Sequence, residues 1–306
     1  MNASIVVFLA SLALGQAERP YAFYDSAMRL RLHLPPGQSV VYRFVDEQTI
    51  KDQAPKVPVI QSKTTSWLRL HGKKEDDQTL LLTCEFDRIL LEIGNAKTKE
   101  AFDSAEAPGR RESGEFTAYR QVVGMRFNVM MKKDGTIVEI KPEEEIDPAS
   151  PANIAGQGHL RRLLVFLCTW LPKDDLKDGK SWQRREELPT GLVDLMRENS
   201  LRIIGKQGPE WTIESKIKLL GKPTKSQGVE GETVIASLAT EKPGLATIKF
   251  NIEQGLVQSI ASEVDFTMLV TRVKKDPDPI AVESAQALSS RASVELLPPK
   301  EMGRAN

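Results

Sequence analysis

Apolar and polar side chains alternate with period two along most of this chain. In "AMRLRLHL", residues 27–34, Met28, Leu30, Leu32 and Leu34 fall on one face of an extended segment. The same alternation runs through "GQSVVYRFVDEQTI", "TSWLRLHG", "TLLLTCEFDRILLEI" and "AYRQVVGMRFNVMM". It returns after Gly179 in "SWQRREEL", "NSLRIIGK", "EWTIESKIKLL", "ETVIASLAT", "LATIKFNIE" and "LVQSIASEVDFTMLVTRV". Turn formers separate these runs: Pro35-Pro36-Gly37, Lys133-Asp134-Gly135, Gly208-Pro209 and Gln254-Gly255. Strands spaced in this way predict antiparallel sheet rather than β-α-β crossovers.

One segment changes period. Between Ile154 and Leu171, apolar residues fall at Leu160, Leu163, Leu164, Leu167, Cys168 and Leu171, a single stripe on an α-helix that Pro172 follows. An acidic piece from Pro142 to Ile146 adds a helical turn. The tail from Asp276, rich in Ala, Ser and Pro, reads as loose chain, with "ASVELL" able to pair as a late edge strand.

Short matches recur in the same order in both halves. Ser66–Lys74 aligns without gaps to Asn199–Gln207, Gly37–Val40 matches Gly179–Trp182, and Arg126–Val129 with Gly135–Val138 matches Lys249–Ile252 with Gly255–Gln258. The expected fold is therefore α+β and mostly β: two related antiparallel meanders, an internal duplication, packed on one central amphipathic helix. Residues 37 to 141 and 179 to 260 should superpose, with Arg69 over Arg202 and Phe127 over Phe250. The organisation reads as a signal peptide (1–17), an N-terminal linker (18–26), a first β half (27–141), a connecting helical segment (142–178), a second β half (179–275) and a flexible tail (276–306).

The signal assignment rests on the apolar run Ile5–Leu14 closing in Gly15-Gln16-Ala17, although no Lys or Arg precedes it; a buried N-terminal strand is the alternative. The run is too short to span a bilayer. Export to the periplasm or the medium follows. Lys plus Arg and Asp plus Glu each total 42, so nothing in the overall charge draws the chain to nucleic acid. Cys84 and Cys168 could form one disulfide in such a compartment. Their apolar settings, "LLLTCEF" and "VFLCTWL", suit buried thiols, and the sequence leaves the pairing open.

The most chemical-looking stretch, "LPKDDLKDGKSWQRREEL", yields little. A phosphate loop needs a glycine at position 174, which is Asp, and a helix after Gly179-Lys180-Ser181, where strand pattern follows. An EF-type calcium loop from Asp174 would place Leu176 and Arg185 at ligand positions. The stretch begins a strand. His33, His71 and His159 show no metal-ligand spacing, no Gly-x-Ser-x-Gly elbow occurs, and acidic runs such as Glu143-Glu144-Glu145 and Glu186-Glu187 have no aromatic setting. With 6% aromatic residues, a carbohydrate cleft built on stacking platforms is disfavoured. No catalytic, cofactor-binding or metal residue is assigned, and no cofactor is expected.

The order of helix, Leu171-Pro172, charged linker, Gly179, Ser181-Trp182 and strands, with Arg126-Phe127-Asn128 and Gly135 upstream, resembles an uncharacterised domain family of exported bacterial β-rich proteins. The resemblance implies export and a β-rich fold and brings no activity. The expected function is that of an exported non-catalytic protein that binds an apolar small molecule or an envelope protein partner. A hydrolase whose site assembles only in three dimensions is the alternative. A cleft between sheet and helix, at the end near Trp170 and Trp182, is where an apolar ligand is expected.

Overall fold

The computed structural model describes residues 30–52, 58–108, 114–174, 176, 181–189, 194–227, 233–273 and 281–298. The expected signal peptide and linker lie outside these residues. The chain is mostly β, with thirteen strands in one antiparallel sheet and two helices among the described residues. The first half contributes β1 (Ser39–Asp52), β2 (Ile60–Glu75), β3 (Thr79–Gly94), β4 (Lys99–Asp103), α1 (Gly114–Val122), β5 (Arg126–Lys132) and β6 (Ile137–Pro142). After α2 (Pro151–Cys168) come β7 (Ser181–Pro189), β8 (Asp194–Gln207), β9 (Glu210–Gln227), β10 (Thr233–Ala239), β11 (Gly244–Asn251), β12 (Leu256–Val273) and β13 (Ala281–Leu296). Across the sheet the order is β6-β5-β3-β2-β1-β13-β12-β10-β9-β8-β7, with β4 on β3 and β11 joining β12 and β9.

The halves pair their strands in a shared order. β1 pairs with β2 and β2 with β3, while β3 holds β5 along Thr79–Glu85 and β4 along Leu90–Gly94. Likewise β7 pairs with β8 and β8 with β9, while β9 holds β11 along Glu210–Ile217 and β10 along Leu220–Gln227. The register does not follow the sequence matches throughout. Ser39 pairs with His71, whereas Ser181 pairs with Arg202, two residues out of step. The ladder Leu70–Cys84–Phe127 corresponds to Ile203–Ile213–Ile248, so Ile248 rather than Phe250 occupies the place of Phe127. A slip of two keeps every side chain on its own face, and Phe127 and Phe250 are both buried.

Four expected elements change. The tail is not loose: β13 lies inside the sheet, paired with β1 from Tyr42–Leu296 to Asp52–Gln286 and with β12 from Ser259–Glu295 to Val273–Ala281. Its Ala and Ser residues give a weak hydrophobic signal, but two neighbouring ladders hold its backbone from Gln286 to Glu295. Residues 118–122, read as strand, end helix α1, where Ala118 and Val122 are buried one turn apart. Pro142–Ile146 forms the end of β6 and bends, not a helical turn. Leu30, Leu32 and Leu34 are buried as the alternation requires, yet their segment joins no strand. It closes one end of the sheet through Leu32 N to Lys133 O (2.9 Å) and His33 N to Gly255 O (3.0 Å).

Helix α2 begins at Pro151, earlier than expected, because Ser150 caps it and its hydroxyl accepts from Asn153 N at 3.2 Å. Strands from across the whole sheet touch it. Ser66 of β2 bonds His159, Phe86 of β3 stacks on the same ring, and Arg197 of β8 reaches Val165 O. Phe250 of β11 meets Trp170 edge-on, with ring centroids 5.3 Å apart. Arg184, on the last strand of the order, donates to Leu171 O (3.1 Å) and to Thr136 Oγ1 (3.0 Å) next to β6, at the other end of that order. The sheet thus curves round α2, and its two ends are fastened beneath the C-terminus of the helix. Gly135, at φ +83°, lets the β5–β6 turn lie directly against the Cys168 carbonyl, where any Cβ would collide.

Leu160, Leu164 and Leu171 are wholly buried against this surface. Leu164→Ala is expected to cost about 2 to 5 kcal/mol in urea unfolding, as cavity-forming substitutions do. Arg184→Ala, which strands Glu186 and the Leu171 carbonyl, is expected to cost about 3 to 5 kcal/mol. Either variant unfolding like the parent would show that the sheet does not depend on the helix in this way.

Candidate functional site

The expected groove near Trp170 and Trp182 is filled. Trp170 Nε1 donates to Leu167 O (2.5 Å), and Trp182 Nε1 donates to Trp170 O (2.8 Å). Phe250, against Trp170, pairs across the ladder with Trp211, so the three tryptophans do gather, but as core. Indole N–H groups are satisfied there at the same time as the last carbonyls of α2.

The hydrolase alternative draws attention to Ser66 and His159. The Ser66 hydroxyl lies 2.9 Å from His159 Nε2, a distance that suits a nucleophile and its base. Other features oppose that use. Ser66 is 1% exposed, and His159 is held between Phe86 and Tyr119. The second ring nitrogen faces Arg162 Nη2 at 3.1 Å, where a triad would place a carboxylate. Burial, with the arginine beside it, brings the His159 pKa down to about 3. The ring is neutral and sealed, and it locks α2 to β2. His33 and His71 lie elsewhere, on Glu75 (2.7 Å) and Ser39 (2.8 Å). Cys84 and Cys168 are free buried thiols, which burial pushes up, Cys168 to about 12.

The open part of the concave face lies beyond α2, away from the Leu30–Leu34 closure. Below the helix the inward residues Val40, Tyr42, Leu68 and Leu70 are buried. Past Phe44 and Val294 the same face continues through Asp46, Gln48 and Ile50 on β1, paired with Ala292, Ser290 and Leu288 on β13. Leu288 pairs in turn with Phe266 on β12. Ile50, Leu288, Phe266, Met268, Leu238 and Leu195 are all of intermediate exposure. Apolar side chains of this size on an inward face are ordinarily covered. Polar groups accompany them. Asp46 accepts from Gln48 Nε2 (2.9 Å) and Ser290 Oγ (3.5 Å), and burial raises its pKa. Arg197 donates through Nη2 to Val165 O (3.2 Å) and to Thr169 Oγ1, while its Nε has no partner. Burial lowers the Arg197 pKa to about 10. This face thus combines partly exposed apolar side chains with one carboxyl, on β1, and one guanidinium, on β8. The alternation of residues 262–268 and 286–292 carried the signal, but only the pairing shows which face turns inward.

No family model matches the chain, and no curated protein does. Among solved structures, it is similar to one describing lipid–protein interactions in lipovitellin, with a TM-score of 0.53 and 11% identity. That similarity covers 87% of this chain and 26% of the other, so the chain spans about a quarter of the lipovitellin chain. The shared property is the fold. Two further structures align at low scores: an outer membrane channel from Pseudomonas putida F1 (TM-score 0.25, 7% identity, 90% of this chain and 98% of that one) and DynF from the dynemicin biosynthesis pathway of Micromonospora chersina (TM-score 0.22, 9% identity, 92% and 90%). Among the described residues no helix is long and apolar enough to cross a membrane.

The state of His159 predicts a pH dependence. An ordinary His takes up a proton near pH 6.5 when unfolded, whereas this one resists until about pH 3. The unfolded chain binds more protons between those values, so stability is expected to fall as pH drops from 6.5 towards 3. In His159→Gln, urea midpoints should vary less over that range. An unchanged slope would mean the ring is not the proton-linked group.

Proposed function

We propose that this protein is an exported, non-catalytic binding protein that holds the apolar chain of an amphipathic ligand against the concave face of its sheet, beyond α2. The observation that carries this reading is the half-exposed apolar row on that inward face. Covering Ile50, Leu288 and Phe266 by a ligand would remove apolar surface from water at roughly 25 cal/mol per Å2. The fold shared with lipovitellin, a protein described for its lipid interactions, supports a lipid-like ligand. Export rests on the N-terminal sequence pattern, and placement in the periplasm or outside the cell belongs to the proposal. So does descent of the two halves from one duplicated meander, which the shared pairing order supports.

Titration with an environment-sensitive fatty-acid probe tests the binding. Saturable binding is expected, weakened at least about tenfold by Phe266→Asp, measured on protein whose circular dichroism shows it folded. Absence of saturable binding to the parent protein would end this reading. Binding unaffected by Phe266→Asp would move the ligand off this face.

A further inference from the structure

Resting on that reading, we infer that the ligand of the concave face is a long-chain amphiphile with an uncharged, hydroxyl-bearing head such as glycerol, seated on a polar island that β2, β1 and β13 present beyond α2. The ladders place this island residue by residue. Thr64, Asp46 and Ala292 lie side by side, and one step further out lie Ser62, Gln48 and Ser290. Alternation turns all six inward, since Ser66, Phe44 and Val294 precede them on the same face and are buried. Each of the six is of intermediate exposure, so the island is open where Ser66 is sealed. Apolar side chains frame it. Leu91 and Ile93 of β3 pair with Thr64 and Ser62, and the row Ile60, Ile50, Leu288 and Phe266 lies one step beyond.

The two faces of these strands differ in kind. Between the inward residues, Lys63, Glu47 and Arg291 point outward and are ion-paired, Lys63 to Glu47 at 2.7 Å and Arg291 to Glu263 at 2.8 Å. Inward, one carboxyl stands among hydroxyls and an amide. Neutral hydrogen-bonding groups set in an apolar frame are the lining of a ligand site rather than of a solvated face. Asp46 Oδ2 accepts from Gln48 Nε2 (2.9 Å) and Oδ1 from Ser290 Oγ (3.5 Å), and each oxygen has a lone pair to spare. The Gln48 carbonyl adds a further acceptor, and the Thr64 and Ser62 hydroxyls both donate and accept. Acceptors therefore outnumber donors, and the island suits a head that brings O–H groups. Bonds from hydroxyls to a carboxylate are among the strong ones. A carboxylate head would set a second acid group against Asp46. An ester brings no donor. An ammonium would have to shed its water beside the apolar frame, which costs far more than burying a hydroxyl. The acyl chain would run over Ile50, Leu288 and Phe266.

The experiment measures displacement of a neutral polarity-sensitive dye from the full chain by monopalmitoylglycerol, methyl palmitate, palmitate and palmitylamine. Monopalmitoylglycerol is expected to bind about tenfold more tightly than the methyl ester, as two added hydroxyl bonds would provide. Palmitate and palmitylamine should bind no better than the ester. D46L/Q48L, used once circular dichroism shows it folded, should bring monopalmitoylglycerol to the level of the ester without weakening the ester. S62A should remove part of the margin. Equal binding of monopalmitoylglycerol and ester by the parent, a comparison that needs no variant, overturns the inference while leaving the apolar site intact. So does a margin that survives D46L/Q48L. Tighter binding of palmitate or palmitylamine than of monopalmitoylglycerol overturns it as well, because the preferred head would then be charged. Failure of every long-chain compound to displace the dye would remove the apolar site itself.

Discussion

The C-terminal end of the 18-residue helix α2 is buried, so its last carbonyls must find partners in the surrounding chain, because little water reaches them. Here Val165 O and Leu167 O of α2 are taken by Arg197 from β8 and the indole of Trp170, and Leu171 O, just past the helix, by Arg184 from β7. Near its middle, His159 is held by Ser66 from β2. These bonds are specific in position, unlike the apolar contacts of Leu160 and Leu164, and they fix how far the sheet rolls. Arg184 does most, since the guanidinium that holds Leu171 O, just past the helix, also bonds the turn beside the opposite edge of the sheet. Its burial is tolerated because Glu186, Asp134 and neutral acceptors surround it.

The proposed binding function rests on where the helix stops filling the sheet. One end of the concavity is closed by Leu30, Leu32 and Leu34, held to Lys133 and Gly255. The middle is occupied by α2. Beyond it the strands continue for several residues, with inward side chains that are apolar in part and half-exposed throughout. A hydrolase placed in the middle would need Ser66 open to substrate, and it is sealed beneath the helix. A ligand placed against the strand ends has apolar wall, polar groups and access.

Much of the fold was legible because period-two alternation is strong in β1, β2, β3, β8, β9 and β11, and period 3.6 is unmistakable in α2. The failures have physical causes. β13 carries Ala and Ser where a strand ordinarily carries branched apolar residues, and its place comes from backbone pairing on both sides. Helix α1 is short, so its two buried positions fit a strand almost as well as a helix. The Leu30–Leu34 segment has strand alternation and an inward face, yet no neighbouring strand offers it a ladder. The groove expected near Trp170 was misplaced because the sequence shows that tryptophans gather there but not whether their volumes fill the space.

The candidate site was legible only in pieces. Asp46 and Arg197 lie far apart in the sequence, and nothing local links them to Phe266 or Leu288. By itself the sequence determined a β-rich chain, an amphipathic helix with a buried stripe, and a likeness between the halves. Those properties are written in periodicity and in short-range order along the chain. The tertiary structure alone decided that β13 joins the halves through the sheet, that the helix fills only part of the concavity, and which charges border the remainder. These depend on pairing between distant strands and on the volume left between packed elements, neither of which any local stretch of residues encodes.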